Sequence, residues 1–295
     1  MLVAARALSS SLAFLVAVTL AACSASIEAE SASATEPATP VDEGEAADVT
    51  PAPAHDAGTS AAADASHAPT PSAHWTYEGE EGPEHWGDLA PSYATCKTGG
   101  EQSPIDIPAS VASAELAGIA LSYAPAPVAI VDNGHTVQVN FVGGSNAITI
   151  AGKEYKLLQY HFHKHSEHTL GGAPLPLEVH LVHKASDGRL AVLGAFYSVG
   201  AVNEALQGVF DAMHSATATA TSLPFTFDPS VLLPSDRAGW TYDGSLTTPP
   251  CSEGVKWNVF AAVQEVSEDQ LAAFHHDPSA RPVQPLGART LHGGN

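Results

Sequence analysis

The sequence predicts a mainly β protein, built on a large and mostly antiparallel sheet with small peripheral helices. Apolar and polar residues alternate with period two along much of residues 75–295, as expected for strands that bury one face. Turn-forming pairs separate these alternating runs at Asn133-Gly134, Gly143-Gly144, Gly171-Gly172 and Asp187-Gly188. Two short stretches favour helices, so helices are expected only at the periphery of the sheet.

The individual elements follow from these patterns in chain order. Strands are predicted over residues 137–141, 147–150, 157–163, 177–183 and 190–197. Helices are predicted over residues 203–213 and 267–274, and in the second of these Ser267 and Gln270 have the spacing of a capping box.

The N-terminus has the pattern of a signal peptide over residues 1–22, with one positive charge at Arg6 and an uncharged, mostly apolar run over 7–22. This run is too short and too rich in small residues to indicate a membrane-spanning helix. It ends in Leu20-Ala21-Ala22-Cys23, which resembles the lipobox of bacterial lipoproteins, where the cysteine becomes the lipidated N-terminus. An ordinary secretory signal with a chance cysteine is the alternative, and either interpretation predicts export.

The residue after the lipobox cysteine indicates a destination for the lipoprotein. Ser24, in place of Asp, resembles the pattern sorted to the outer membrane in Gram-negative bacteria. We therefore expect a protein anchored to that membrane through lipidated Cys23, facing the periplasm or the exterior.

The composition of residues 23–74 predicts a disordered, acidic tether. After Cys23 the segment consists largely of Ala, Ser, Thr, Pro and acidic residues, with no Lys, Arg or aromatic side chain. Such a composition cannot bury enough apolar surface to offset the entropy lost on ordering. The remaining residues, 75–295, are predicted to form one domain.

The charge of the chain excludes several classes of partner. Its 295 residues include 32 acidic and 11 basic side chains, for a formal net charge of −21. Because a nucleic-acid-binding surface needs clustered Lys and Arg, a nucleic acid partner is not expected. Polybasic attachment to anionic lipid is excluded in the same way, so membrane contact is expected only through the N-terminal lipid.

A histidine-rich pair of predicted strands indicates a metal site. His161 and His163 are two residues apart and would share one face of a strand, and Glu178, His180 and Val182 would share a face of another. A hairpin between these strands would bring His180 beside the first pair. Three imidazoles with an open fourth position are typical of catalytic zinc, whereas structural zinc takes four protein ligands and usually cysteine.

Eight segments, in order, give the chain a resemblance to a known family. They are Trp75-Thr76-Tyr77, Gly82-Pro83-Glu84-His85-Trp86, Gln102-Ser103-Pro104-Ile105, Asn133-Gly134-His135, the His161 segment, the His180 segment, Ser245-Leu246-Thr247-Thr248-Pro249-Pro250 and Arg281-Pro282-Val283-Gln284-Pro285-Leu286. Together they resemble the α-class carbonic anhydrases across residues 75–295. The resemblance implies a twisted, mainly antiparallel sheet of about ten strands. It also implies zinc-dependent, reversible hydration of carbon dioxide to bicarbonate and a proton, by hydroxide on the metal.

The resemblance also implies roles for individual residues. The zinc ligands would be His161, His163 and His180, which leaves His165, His168 and His183 as structural or solvent-facing residues. Gln159 and Glu178, each two residues from a ligand and on its face, fit the orientation of His161 and His180.

Further residues match the family's reaction machinery. Thr247 would orient the hydroxide by donating its proton to Glu167, and Thr248 would contact bicarbonate. His135 would be the proton shuttle, with Tyr77 and Asn133 holding water along the proton path. The apolar wall for carbon dioxide would be formed by Val182, Val192, Leu246 and Trp257.

Two cysteines remain once Cys23 is assigned to lipid. Cys96 and Cys251 occupy positions where bacterial members of the family often form a disulfide, and the alternative is two free thiols. One departure from the common pattern lies beside the shuttle, where Asp132 replaces a frequent Asn and would alter local proton affinity.

Two other classes of function stay open alongside the enzyme. A catalytically silent carbonic-anhydrase-like binding module would typically lack at least one zinc histidine, and all three are present. A zinc-buffering periplasmic lipoprotein would explain the histidines and the acidity. It would not require Thr247, Glu167, His135 and an apolar pocket together.

Overall fold

The computed structural model describes residues 73–294, which form a β-rich unit. Its strands are β1 Asp106–Ile107, β2 Ala114–Glu115, β3 Ile119–Ser122, β4 Ala126–Asp132, β5 Val137–Phe141, β6 Ala147–Ile150, β7 Lys153–His163, β8 Thr169–Leu170, β9 Ala173–Pro174, β10 Leu177–Lys184, β11 Leu190–Val199, β12 Thr221–Phe227, β13 Ala238–Ser245, β14 Glu253–Phe260, β15 Gln264–Val266 and β16 His292–Gly293. Its α-helices are α1 Trp86–Leu89, α2 Thr95–Thr98, α3 Gln207–Met213 and α4 Glu268–Ala273. Short 3-10 helices lie at Gly79–Glu81, Pro91–Tyr93 and Pro229–Leu232.

One large sheet dominates the fold. Its central path runs β12-β4-β5-β7-β10-β11-β14-β13-β16, and β2, β3, β6 and β15 extend it to 13 strands. Within the described residues, β11 pairs in parallel with β14 and β15, and the other pairs in this sheet are antiparallel. The predicted fold class is therefore confirmed. The sheet exceeds the expected ten strands because segments of two or three residues, such as β2 and β16, pair at its edges.

The predicted strands all form, and both helices are shorter than predicted, since α4 spans Glu268–Ala273 and not residues 267–274. β5 and β6 have the predicted bounds, whereas β7 begins four residues earlier, at Lys153. α3 begins at Gln207 and not at Asn203, because the backbone N–H of Asn203 donates to Gln270 Oε1 and its side chain donates to the Glu265 carbonyl. The predicted capping box at the start of α4 is confirmed.

Two apolar clusters lie on the two faces of the central strands. On β11, Leu193 and Tyr197 belong to the larger cluster, which α3 covers with Val209 and Phe210. Val192, on the same strand, belongs to a second cluster around the indole of Trp257. Because both faces are buried, the central strands are held in place. Side chains at the edge of the second cluster, such as Val192 and Trp257, are therefore held in position.

A β-bulge at Leu158 decides which residues of β7 face the cavity. Strict alternation over residues 157–163 would put Leu157 on the same face as His161. The pairing of β7 with β10 instead shifts register, so that Gln159 is opposite Val182 while Leu157 is opposite His183. Leu157 therefore packs in the core. After the bulge the odd-numbered residues Gln159, His161 and His163 face away from that core and toward the cavity.

The N-terminal predictions lie outside the described residues. These are the signal peptide of residues 1–22, Cys23, and all but the last two residues of the tether. From residue 73 to residue 294, no helix has the length and apolar character needed to cross a membrane.

Candidate metal centre

Three histidines converge where β7 and β10 pair. In this antiparallel register His180 lies opposite His161, and Glu178 lies opposite His163. The side chains of His161, His163 and His180 project from the same face, and each offers a ring nitrogen within 4.8 Å of the others.

Each of these imidazoles has one nitrogen held by an acceptor. His161 Nδ1 donates to Gln159 Oε1 at 2.8 Å, and His180 Nε2 donates to Glu178 Oε1 at 2.9 Å. His163 Nδ1 donates to the main-chain carbonyl of Ser279 at 2.5 Å. Because the held nitrogen carries the proton, the lone pairs lie on Nε2 of His161, Nε2 of His163 and Nδ1 of His180. Gln159 and Glu178 thus lie where the sequence predicted, whereas the Ser279 carbonyl was missed, since any residue type can supply it.

The electrostatic environment favours neutral rings at His161 and His163. Burial lowers the pKa of both. Neighbouring imidazoles lower the pKa of His161 further, whereas at His163 the charge of Glu167 opposes burial without outweighing it. At His180 burial also lowers the pKa, but the charge and hydrogen bond of Glu178 outweigh it, so the net pKa is raised. A carboxylate behind a ligand imidazole makes that ring a more basic donor.

Glu178 is itself held by four donors. Its Oε1 accepts from His168 Nδ1 at 2.8 Å as well as from His180, and its Oε2 accepts the backbone N–H groups of Glu167 and His168 at 2.9 Å. Burial raises the pKa of Glu178, but His168 and His180 outweigh burial and lower it overall. His168 Nε2 lies 2.7 Å from the hydroxyl of Tyr242, so His168 is a buried structural residue that fixes Glu178.

The three histidines are a better zinc site than a second cluster of side chains that lies beside them. His163 Nε2 is buried and has no hydrogen-bond partner, and three imidazoles form the donor set of catalytic zinc sites. A second group of His168, Glu178 and His180 also brings donor atoms together. Its atoms already hydrogen-bond to one another, and neither His168 nor Glu178 reaches the cavity, so that cluster has no open position.

A cavity of about 160 Å³ lies above the three histidines. The predicted apolar wall residues all line it, namely Val182, Val192, Leu246 and Trp257. Thr247 and Thr248, in the loop after β13, line it as well. Tyr77, Asn133 and His135, the residues predicted for the proton path, also line the cavity.

The turn at the mouth of this cavity is fixed by Asn133. Its side-chain oxygen accepts the backbone N–H groups of His135 and Thr136, at 3.0 and 2.9 Å. Gly134 has a φ of 86°, a conformation that favours glycine. The ring of His135 stacks on Trp75 at a centroid distance of 3.6 Å, a contact the sequence did not predict although Trp75 lies in a matching motif. Burial lowers the pKa of His135, as do His74 and His276, against a smaller opposing effect of Asp132.

Comparison with known proteins now identifies the family. The family model for eukaryotic-type carbonic anhydrase matches residues 81–292. The chain belongs to the α-carbonic anhydrase family. Curated relatives include carbonic anhydrases of Nostoc sp., 42% identical over 74% of this chain and 84% of the relative, and of Neisseria gonorrhoeae, 39% identical over 74% and 87%. Reversible hydration of carbon dioxide is the activity of this family.

Solved structures give the same fold. The α-carbonic anhydrase of Thermovibrio ammonificans, in complex with the inhibitor sulfanilamide, has a TM-score of 0.71 and 45% identity, covering 75% of this chain and 99% of that one. Dioscorin complexed with ascorbate also matches, with a TM-score of 0.69 and 31% identity, over 74% of this chain and 97% of its own. A protein with another name thus shares this fold, so the fold alone does not determine the activity.

One contact expected of an α-carbonic anhydrase is not formed. Thr247 was predicted to donate to Glu167, but within residues 73–294 Glu167 Oε2 has no hydrogen-bond partner. That oxygen lies 3.4 Å from His163 Nε2 and 3.7 Å from His180 Nδ1, the ring nitrogens that carry the lone pairs. The other oxygen, Oε1, accepts the backbone N–H of Arg281 at 2.9 Å.

Arg281 is a supporting residue to which the sequence assigned no role. Its buried guanidinium donates to Gln102 Oε1 at 3.0 Å and to the carbonyls of Ser103 at 2.7 Å and Cys96 at 3.0 Å. Burial lowers the pKa of Arg281 to about 10. Arg281 thus ties the N-terminal motifs to the segment that holds Glu167. The sequence feature that could have indicated a role for Arg281 is its position at the start of the matching segment Arg281–Leu286.

The predicted disulfide between Cys96 and Cys251 is formed. The backbone N–H of Cys251 donates to the Thr248 carbonyl at 2.8 Å, and its carbonyl accepts from Gln102 at 3.1 Å. The disulfide therefore fastens the loop that carries Thr247 and Thr248 to the N-terminal part of the domain.

Proposed function

We propose that this protein is a zinc enzyme that converts carbon dioxide and water reversibly to bicarbonate and a proton. The observation that carries the proposal is the three-histidine centre, in which each ring has one nitrogen held by an acceptor and one directed toward the other rings. The centre lies at a cavity with an apolar wall.

The zinc ion would be held by Nε2 of His161, Nε2 of His163 and Nδ1 of His180. When bound, zinc makes hydroxide available near neutral pH by lowering the pKa of a coordinated water to about 7, a value known for carbonic anhydrases as a class and not obtained from this structure. Gln159, Glu178 and the Ser279 carbonyl keep the three lone pairs aimed at one point.

The cavity residues provide a site for an uncharged substrate. Carbon dioxide has no charge to pair, so Val182, Val192 and Leu246 can bind it by contact alone. Thr248 offers a polar contact for bicarbonate at the same wall.

Thr247 and Glu167 would orient the nucleophile. The free acceptor capacity of Glu167 Oε2 supports this role, because it leaves an oxygen that can take the Thr247 proton. Once Thr247 donates to Glu167, its own oxygen can only accept, which fixes the direction of the attacking group.

His135 would carry protons between the cavity and bulk buffer. It lines the cavity while remaining partly exposed, and an imidazole can take up and release a proton near neutral pH. His135→Ala should lower maximal turnover in weak buffer, spare the interconversion of bound carbon dioxide and bicarbonate, and respond to added imidazole. An equal loss of both steps without rescue would assign His135 a structural role.

Stopped-flow hydration of carbon dioxide by the zinc-loaded chain, with metal content measured in the same sample, tests the proposal. We expect catalysis that tracks one equivalent of zinc and is lost on chelation. Stoichiometric zinc without hydration would instead support a silent binding module.

We also propose that the chain is an exported lipoprotein anchored through Cys23. The signal-like residues 1–22 support this, as does the disulfide, which is typical of oxidising compartments. Because one lipid chain anchors only marginally and two or more anchor stably, a multiply acylated Cys23 should keep the protein in the membrane fraction. Cys23→Ser should release it in soluble form with unchanged activity per molecule. A wild type that is already soluble, with its mature N-terminus elsewhere, would overturn the anchor and leave the enzyme proposal intact.

A further inference from the structure

A second cluster of metal-binding side chains lies outside the three-histidine centre. Asp132 is the last residue of β4, and the consecutive histidines His275 and His276 follow α4. His275 Nε2 lies 2.9 Å from Asp132 Oδ2, and His276 Nε2 lies 2.9 Å from Asp132 Oδ1. The two rings are 4.6 Å apart between centroids.

Two consecutive histidines converge on one carboxylate. His275 and His276 lie outside any helix or strand, and both rings turn their Nε2 atoms to Asp132. The residue before them, Phe274, is buried in the larger core cluster, which anchors the segment.

The carboxylate is also held in place. Asp132 Oδ1 accepts the backbone N–H of Gly134 at 2.8 Å, and the backbone N–H of Asp132 donates to the Thr217 carbonyl at 2.8 Å. The donor atoms are therefore positioned by the fold and not by each other alone.

The donor atoms converge closely enough for one ion to replace their mutual contacts. One nitrogen of each imidazole and one oxygen of Asp132 all lie within 4.8 Å of one another. Zinc binds imidazole nitrogen at about 2.0–2.1 Å and carboxylate oxygen at about 2.0–2.2 Å, so tetrahedral ligands would lie about 3.4 Å apart. The present Nε2 to oxygen distances of 2.9 Å are those of hydrogen bonds, which a bound ion would replace after small side-chain shifts.

The surroundings leave room for water to complete the coordination. The side chains of His275, Asp132 and His276 are 46%, 19% and 18% exposed. Two imidazoles and one carboxylate form a donor set that suits zinc and the neighbouring divalent transition metals. The formal charge of −21 on the whole chain favours attraction of a cation.

We propose that Asp132, His275 and His276 form a second site for a divalent transition-metal cation, represented by Zn²⁺. This site shares no residue with His161, His163 and His180, and it does not depend on the proposed enzymatic function. It binds zinc more weakly than the three-histidine centre, because its ligands are partly exposed and its imidazoles must give up their contacts with the Asp132 carboxylate.

Zinc titration of the full chain tests the proposal. The protein would be stripped with a chelator and titrated with Zn²⁺ by equilibrium dialysis with elemental analysis. We expect two equivalents, the second weaker than the first. In ¹⁵N-histidine spectra the second equivalent should shift the Nε2 resonances of His275 and His276.

Four variants make the assignment specific. Asp132→Asn and His276→Gln should each lose the second equivalent and keep the first, which also shows that the variants fold. His214→Gln, a change at an exposed histidine elsewhere, should keep both. His180→Ala should lose the tight equivalent and keep the weaker one, so failure of the catalytic centre and failure of this site give different results. Uptake of one equivalent by the wild type, or a second equivalent that survives in both Asp132→Asn and His276→Gln, would overturn the proposal.

Discussion

The two faces of β10 put the same residue type in opposite situations. His180 faces the cavity and His183 faces the core, and both are buried, at 1% and 0% exposure. His183 has both nitrogens occupied, since Tyr123 OH lies 2.6 Å from Nε2 and Nδ1 contacts the Ala191 carbonyl at 3.3 Å. His180 has Nε2 held by Glu178, while its Nδ1 points toward two other imidazoles. Burial alone therefore does not make a metal ligand; a free ring nitrogen that converges with others does.

The pKa values separate the two faces in the same way. Burial lowers the pKa of His183 to about 3, because no charged partner opposes it. At His180 the neighbouring carboxylate outweighs burial and raises the pKa. On the core face His183 is therefore a neutral, structural imidazole. On the cavity face His180 is a more basic ring that is better suited to bind a cation.

The same substitution on the two faces should have the largest and most different effects. His180→Ala leaves two imidazoles, so zinc should be lost and hydration should fall by more than the 10–100-fold that loss of an outer-shell partner costs. His183→Ala should keep stoichiometric zinc but lose about 2–4 kcal/mol of unfolding free energy. The substitution leaves a void in the core and removes the hydrogen-bond partner of the Tyr123 hydroxyl. Metal analysis and denaturant unfolding distinguish the two, and zinc loss in both variants would remove the distinction.

Changes behind the ligands should have intermediate effects. Glu178→Gln removes the charge that His168 and His180 share, so zinc affinity should fall by about 10–100-fold. Gln159→Ala removes one neutral acceptor and should cost about 10-fold, at the low end of that range. Competition with a chromophoric chelator gives both dissociation constants. A larger loss for Gln159→Ala than for Glu178→Gln would contradict the electrostatic account of His180.

A further effect concerns pH and the core face, and it develops only gradually as the pH falls. The pKa of His183 is about 3 in the folded chain and 6.5 without burial, so as pH falls below 6.5 the unfolded chain takes up a proton first. Stability from the neutral ring is therefore present above pH 6.5 and is lost as pH falls toward 3. Between pH 6.5 and 4.5 this single group should cost about 2 kcal/mol.

The variant His183→Gln isolates that contribution. In zinc-free protein its unfolding free energy should decline less than that of the wild type over this range, by about the same 2 kcal/mol. Identical pH dependence in the two proteins would mean that His183 does not titrate on unfolding.

Alternation and residue spacing were enough to predict the strands and the approach of the three histidines. They identified β5 and β6 at their observed bounds, and His180 beside the His161 and His163 pair. The bulge at Leu158 escaped prediction, because it depends on the pairing of two strands and not on one strand's pattern.

Other features of the centre depend on tertiary contacts. The Ser279 carbonyl that holds His163 comes from a segment 116 residues away, and a main-chain oxygen has no sequence signature. Gly194 lies opposite His180 on β11, where an added Cβ would approach Glu178 Oε1 to 3.1 Å. The sequence gives no sign of this close approach, since Gly194 lies inside an otherwise regular strand.

Anomalous diffraction at the zinc edge, on crystals loaded with one equivalent of zinc, tests the central claim most directly. We predict one strong peak within bonding distance of His161 Nε2, His163 Nε2 and His180 Nδ1, on the cavity side of His180. A principal peak among His168, Glu178 and His180 Nε2, on the opposite side of the same ring, would contradict the account.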